Sequence, residues 1–179
     1  VITRRAVLGG LVTSCLASMG QAGLERNAMT PVSELDWTYL ADTVMGGVSE
    51  GRAQIEDGAI RLTGTVSTAN RGGFIQVRTT LPDGLPPDTA ALRLQVRGNG
   101  ARYFLHLRTT RTRLPWQFYQ AGFEAGPDWS DISLPLSAFT PQGQLLSRDL
   151  RPEEVRSIGL AAYGQDYVAD VSLRAIGIG

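Results

Sequence analysis

Chemistry in this chain has few places to reside. His106 is its single histidine and Cys15 its single cysteine. One histidine cannot supply a multi-histidine metal site, and no Cys/His cluster has zinc-ligand spacing. A Ser-His-Asp triad would need His106 beside a serine and an acid, and nothing in the spacing brings them together. Gly47-Val-Ser49-Glu-Gly51 does fit the Gly-x-Ser-x-Gly pattern of a nucleophile elbow. That elbow needs a strand before it and a helix after it. Here Arg52–Glu56 reads as a strand and a hairpin follows, so Ser49 is expected to bond nearby backbone instead. Asp36, Asp42, Asp128, Asp131, Asp166 and Asp170 could pair as glycosidase-type carboxylates, but sequence spacing fixes no separation between them. Loop carboxylates leave a structural calcium open as an alternative. The expectation is a chain without catalytic residues, metal ligands or cofactor.

Binding chemistry is better represented. Trp37, Trp116, Tyr119 and Trp129 are the large aromatic anchors. In Trp116-Gln-Phe-Tyr119 the pair Trp116 and Phe118 alternates with Gln117 and Tyr119. One pair must therefore face outward or line a groove. Sugar rings stack on such aromatics, and protein hot spots use the same residue types. His106 and Arg108 lie together on the strand face opposite Leu105 and Leu107, as ligand contacts or as plain surface residues. The cluster Arg102, Arg108, Arg111 and Arg113 reads as a solvated edge. The chain carries 17 basic and 17 acidic residues, and every basic residue other than the histidine is arginine. This balance gives no electrostatic footprint for nucleic acid.

The elements that must position these groups are strands. Ala53–Glu56 and Ala59–Thr63 flank Asp57-Gly58, a pair suited to a type I′ hairpin turn. Gly73–Leu81 alternates. Ala91–Arg97 places Leu92, Leu94 and Val96 on one face, Gly98-Asn-Gly100 turns the chain, and Tyr103, Leu105 and Leu107 form the apolar face of the next strand. Trp116–Ala125, Ile132–Leu136, Ser157–Tyr163 and Val168–Ile178 supply further strands. Leu136–Phe139 and Pro152–Val155 read as helical turns. Nine or ten strands with regular turn signals predict an all-β, antiparallel sandwich or barrel. No amphipathic helix of useful length supports a doubly wound sheet.

Four ordered blocks carry a family resemblance. They are Trp37-Thr-Tyr-Leu-Ala-Asp42-Thr-Val-Met45-Gly46-Gly47-Val-Ser49, then Asn70-Arg-Gly-Gly73-Phe74, then Arg97-Gly-Asn-Gly-Ala-Arg-Tyr103 with Trp116-Gln-Phe-Tyr119 after it. In this order and spacing the chain resembles the complex I intermediate-associated protein 30 family, from about Asp36 to about Ile178. The resemblance implies a galactose-binding-like jelly roll and an assembly role toward respiratory complex I. It makes Asp42 part of the defining block, where its carboxylate is expected to accept hydrogen bonds from the glycine-turn amides. Gly72-Gly73-Phe74 reads as a bulge or strand entry.

The amino terminus reads as an export signal. Arg4-Arg5 precede a weak apolar run, and Gly20-Gln21-Ala22 offers small residues for cleavage, a twin-arginine layout. A general secretory signal is the alternative, and Val12-Thr-Ser-Cys15 loosely matches a lipoprotein box that would anchor Cys15. Residues 1–22 are thus assigned to the signal, 23–32 to a linker and 33–179 to one domain. Removing Arg4 and Arg5 leaves 15 arginines against 17 acidic residues. The resulting expectation is a periplasmic, non-catalytic module that binds a protein client, by resemblance a complex I subunit or assembly intermediate. A carbohydrate-binding module is the alternative. Export and a complex I client conflict, because the hydrophilic arm of complex I lies on the other side of the cytoplasmic membrane.

Overall fold

The computed structural model describes Leu24 and residues 28–179. The export segment of residues 1–22 lies outside them. Twelve strands follow in order: β1 (Met29–Pro31), β2 (Thr38–Ala41), β3 (Glu50–Glu56), β4 (Ala59–Val66), β5 (Phe74–Thr80), β6 (Ala91–Gly98), β7 (Arg102–Thr109), β8 (Phe118–Glu124), β9 (Ser130–Pro135), β10 (Thr140–Gln142), β11 (Val155–Tyr163) and β12 (Tyr167–Ile178). They form two six-stranded sheets whose recorded pairings are all antiparallel. The first sheet runs β3-β4-β12-β6-β9, with β1 added along β12. The second runs β10-β8-β7-β11-β5-β2. The expected β-sandwich is the observed fold.

Alternation explains the core. Leu92, Leu94 and Val96 of β6 are fully buried, with Leu62, Leu173 and Ile176 beside them in the first sheet. Ile75, Val77, Leu105, Leu107, Ile158 and Leu160 face them from the second. Removing these side chains from water is the main stabilising contribution, about 1.5–3 kcal/mol for each large one. The β3–β4 turn places Asp57 at φ 50° and Gly58 at φ 72°, the two positive values a type I′ turn needs.

Within the stretch 23–32, expected as a linker, Leu24 and residues 28–32 belong to the domain. Leu24 is buried in the core, and β1 pairs with β12 through Met29↔Gly177 and Pro31↔Ala175. Three or four residues are too few to show alternation, so β1, β2 and β10 carry no strand signal. Pro141 further masks β10 and is tolerated because β10 is an edge strand.

Two expected binding residues belong to the core. Tyr103 and Tyr119 are wholly buried. The Tyr103 hydroxyl donates to Asn99 Oδ1 at 2.6 Å and accepts the Asp170 N–H at 2.9 Å, tying the β6–β7 turn to β12. The Tyr119 hydroxyl donates to the Ser147 carbonyl at 2.9 Å. Neither can meet a ligand. Trp129 packs on the outer face of the first sheet between the guanidinium groups of Arg97 and Arg174, 4.9 and 4.0 Å from its ring centre.

Candidate functional site: a groove on the second sheet and its clamped rim

The first block is a clamp. Asp42 opens a single 3₁₀ turn, Asp42–Met45, and Gly46 closes it at φ 88°. The Gly46 and Gly47 amides donate to the backbone carbonyls of Thr43 and Asp42, not to the carboxylate as the sequence suggested. The carboxylate itself reaches further. Its Oδ1 accepts the Ser49 N–H at 3.0 Å. Its Oδ2 accepts the Ser49 hydroxyl at 2.5 Å and the amides of Gly73 and Phe74 at 2.5 and 3.1 Å. Burial alone would raise the Asp42 pKa, but these bonds, led by the Gly73 amide and the Ser49 hydroxyl, hold it below the ordinary carboxylate value. Gly47 and Gly72 are glycine because a Cβ on either would overlap this carboxylate. Ser49, buried, also accepts the Ser67 N–H at 3.0 Å, so its oxygen is committed to structure. A strand rather than a helix follows it, so the elbow pattern is accidental.

Asp42 thus locks together two loops, 42–49 and 67–73, and these loops form one rim of a groove. Exposed Val44 and Met45 stand on the first loop and Arg71 on the second. The groove has a volume of about 720 Å³ and runs across the outer face of the second sheet. Its floor follows strand register. Arg78 pairs with Gly159, Gly159 with His106, and His106 with Gln120, so these residues form one row across β5, β11, β7 and β8. Gly159 leaves the middle of that row without a side chain. In the next row Gln76 pairs with Leu40 and Ala161. Trp116, 56 % exposed, and Phe118 line the opposite wall, while Gln117 and Tyr119 point inward. The alternation in this segment is therefore resolved with Trp116 and Phe118 outward.

His106 is the centre of an aromatic cluster. It stacks on Phe118 at 4.2 Å, and Tyr163 meets it edge-on at 5.3 Å. Only 8 % of His106 is exposed, and among the described residues its Nε2 makes no well-formed hydrogen bond, although the side chain of its cross-strand partner Gln120 interacts with the ring; the buried Oε1 atoms of Gln76 and Gln120 are unpaired as well. Burial, reinforced by the nearby Arg78 charge, pulls the His106 pKa down to about 3, so the ring is neutral near pH 7. Arg108 donates to the carbonyls of Pro115, Thr112 and Leu114 at 2.8, 3.2 and 3.1 Å. It braces the loop that presents Trp116.

The expected site residues therefore separate into groups. Met45, Phe74, His106, Arg108 and Trp116 line the groove. Asp42, Gly46, Gly47, Ser49 and Gly73 build its rim from beneath. Trp37 lies elsewhere. Its indole N–H donates to the Val32 carbonyl at 2.9 Å, and it borders a smaller hollow of about 380 Å³ with Tyr39 and Ile55. Arg71, Gln76, Arg78 and Tyr163 also line the groove. The period-2 pattern put Gln76 and Arg78 on one face of their strand, but nothing local showed which sheet face would be concave. Of the arginine cluster, Arg111 is paired with Glu154 at 2.6 Å and only Arg108 enters the groove. Among the described residues no three His, Cys, Asp or Glu side chains are grouped to hold a metal ion. No helix among them is long and apolar enough to cross a membrane.

The two antiparallel sheets form a jelly-roll sandwich, and solved structures agree on the fold. The family 11 carbohydrate-binding module of cellulase Lic26A-Cel5E from Clostridium thermocellum superposes with a TM-score of 0.69 at 16% identity, covering 88% of this chain and 95% of that one. The family 11 module from the same organism in complex with a β-1,3-1,4-mixed-linked tetrasaccharide gives 0.64 at 16% identity, covering 80% and 88%. The family 30 module of cellulase Cel9D-Cel44B, also from C. thermocellum, gives 0.56 at 12% identity, covering 87% and 95%. No curated protein matches the chain in sequence. The chain belongs to the complex I intermediate-associated protein 30 family, whose profile matches residues 27–172.

Proposed function

We propose that this protein is a non-catalytic binding module of the exported compartment and that the groove on its second sheet holds a carbohydrate chain. The observation that carries this reading is the pair of buried polar atoms without a well-formed hydrogen bond among the described residues, His106 Nε2 and Gln76 Oε1, beside aromatic rings in an open trough. Buried polar atoms cost about 1–3 kcal/mol when left unpaired. A ligand dense in hydroxyl groups relieves that cost while its ring faces stack on Trp116 and Phe118. The jelly-roll fold is compatible with this role but does not establish it.

A second reading has its own support. Family membership favours a protein client, an assembly intermediate of a respiratory complex. The exposed apolar side chains Val44, Met45 and Trp116 on the rim are the types that anchor protein interfaces. Titration with glycans of defined length, followed by tryptophan fluorescence, separates the two. Saturable quenching that disappears in Trp116→Ala supports the carbohydrate chain. An unresponsive protein that instead crosslinks to a respiratory-complex subunit in the cell supports the client.

A further inference from the structure

The groove carries an unbalanced charge. Arg71, Arg78 and Arg108 line it, and among the described residues no aspartate or glutamate does. None of the three forms an ion pair among the described residues. Arg108 spends its donors on backbone carbonyls, which leave its charge uncompensated. Arg71 and Arg78 have no hydrogen-bond acceptor at all among the described residues. Arg78 is half-buried, and both burial and the facing Arg108 charge lower its pKa, so two like charges share one poorly solvated trough. Asp42, below the rim, forms no ion pair with them among the described residues; its oxygens accept from Ser49, Gly73 and Phe74.

Two further observations point toward a ligand. Arg71 sits at φ 62° directly after Asn70 at φ 56°. A left-handed arginine costs about 1–3 kcal/mol and persists where the surroundings impose it, which is typical of ligand-holding loops. Here the Gly73 and Phe74 amides just after Arg71 are fastened to Asp42. Independently, the Nε2 of His106, more than nine-tenths buried, makes no well-formed hydrogen bond among the described residues in the same trough, in one row with Arg78 and Gly159.

We infer that the groove selects an acidic carbohydrate, a chain of carboxylate-bearing sugars such as uronic acids, whose carboxylates meet Arg78 and Arg71 and whose hydroxyls meet His106 and Gln76. The inference rests on the carbohydrate reading above and names its ligand class. Guanidinium groups match carboxylates with paired donors, and Arg78 spends none of its donors among the described residues. An acidic peptide would satisfy the charges, but it offers no flat hydroxylated ring for the wall formed by Trp116 and Phe118.

Calorimetric titration of the full protein tests this with four probes: a tetramer of galacturonate, a neutral β-glucan tetramer, a sulfated oligosaccharide and oligo-glutamate of equal charge. The expected result is galacturonate binding at least tenfold tighter than the neutral tetramer and tighter than the other two anions. Arg78→Gln is expected to weaken it roughly 10- to 100-fold. Binding should also fall with salt, and Arg52→Gln, on the first sheet, should have no effect. Neutral-glucan binding that equals galacturonate binding and ignores Arg78→Gln would overturn the acidic selection and leave the carbohydrate reading intact. Oligo-glutamate binding as tightly as galacturonate would overturn the sugar component. Sulfated sugar binding preferentially would overturn the carboxylate component. Binding of none of the four would remove both this inference and the reading beneath it. Thermal melting of Arg78→Gln at the wild-type temperature confirms that lost binding is not lost folding.

Discussion

Asp42→Asn changes no volume and removes one charge, so it isolates what the clamp contributes. The carboxylate accepts four hydrogen bonds in a buried site. The better placement of an asparagine puts its carbonyl oxygen where Oδ2 lies, keeping bonds from Ser49, Gly73 and Phe74. Its amide then faces the Ser49 N–H, two donors with no acceptor between them. Hydrogen bonds to charged groups contribute about 1.5–3 kcal/mol and neutral ones about 0.5–1.5, while an orphaned buried donor costs about 1–3. Relief of burying the charge offsets part of this. The expected net loss is about 3 kcal/mol, which in a domain of this size lowers the melting temperature by roughly 6–12 °C. Differential scanning calorimetry at pH 7 measures it. The low pKa of Asp42 adds a second signature. A carboxylate whose folded pKa is depressed contributes stability above its unfolded value near 3.8, and that stability is lost as pH falls through the folded value. Wild type and Asp42→Asn should therefore converge at low pH. A shift below about 2 °C at pH 7, or a difference that persists unchanged in acid, would refute the clamp.

Other predictions follow from the groove. His106 is held neutral, with a folded pKa near 3 against an ordinary 6.5, so its contribution is complete above pH 6.5 and is lost as pH falls toward 3. Linkage makes the loss about 2 kcal/mol between pH 7.5 and pH 5, and urea unfolding of His106→Gln should lack this slope. Trp116→Ala should change stability by no more than about 0.5 kcal/mol, because the side chain is exposed, yet weaken ligand binding at least tenfold in the fluorescence titration. Gly159→Val projects a side chain into the floor between Arg78 and His106. Its Cβ would stand 3.1 Å from Gln76 Oε1, a contact that a flexible side chain can relieve. The variant should fold, as judged by circular dichroism, and lose ligand binding.

Much of this fold is visible in the residues themselves, and the groove is much less so. Leu92, Leu94 and Val96 alternate cleanly because one face of β6 is core and the other is solvent, so period 2 reports their burial directly. β11 gives no such pattern. Gly159 and Ala161 are buried on its groove face as well as its core face, so the strand reads as continuously apolar. Trp116 and Phe118 could be separated from Gln117 and Tyr119 by alternation, but only the sheet's place in the sandwich settles which pair faces outward. Asp42 illustrates the limit best. Two of its partners, Gly73 and Phe74, lie 31 and 32 residues away, beyond the β3–β4 hairpin. Their motif was recognisable as a block, but the bond joining it to the first block is tertiary. Tyr103 and Tyr119 sit in motif positions for packing rather than for contact. A block that marks a family marks what holds the fold as readily as what meets a ligand.

The central claim, that the second-sheet groove is the ligand surface, is tested most directly by mapping amide chemical shifts during titration with acidic and neutral oligosaccharides. The account predicts shifts confined to residues 71–78, 104–108, 116–120 and 157–163, with the largest changes around Arg78 and His106. Shifts centred on the first sheet or on the hollow beside Trp37, or a spectrum unchanged by every glycan, would contradict it.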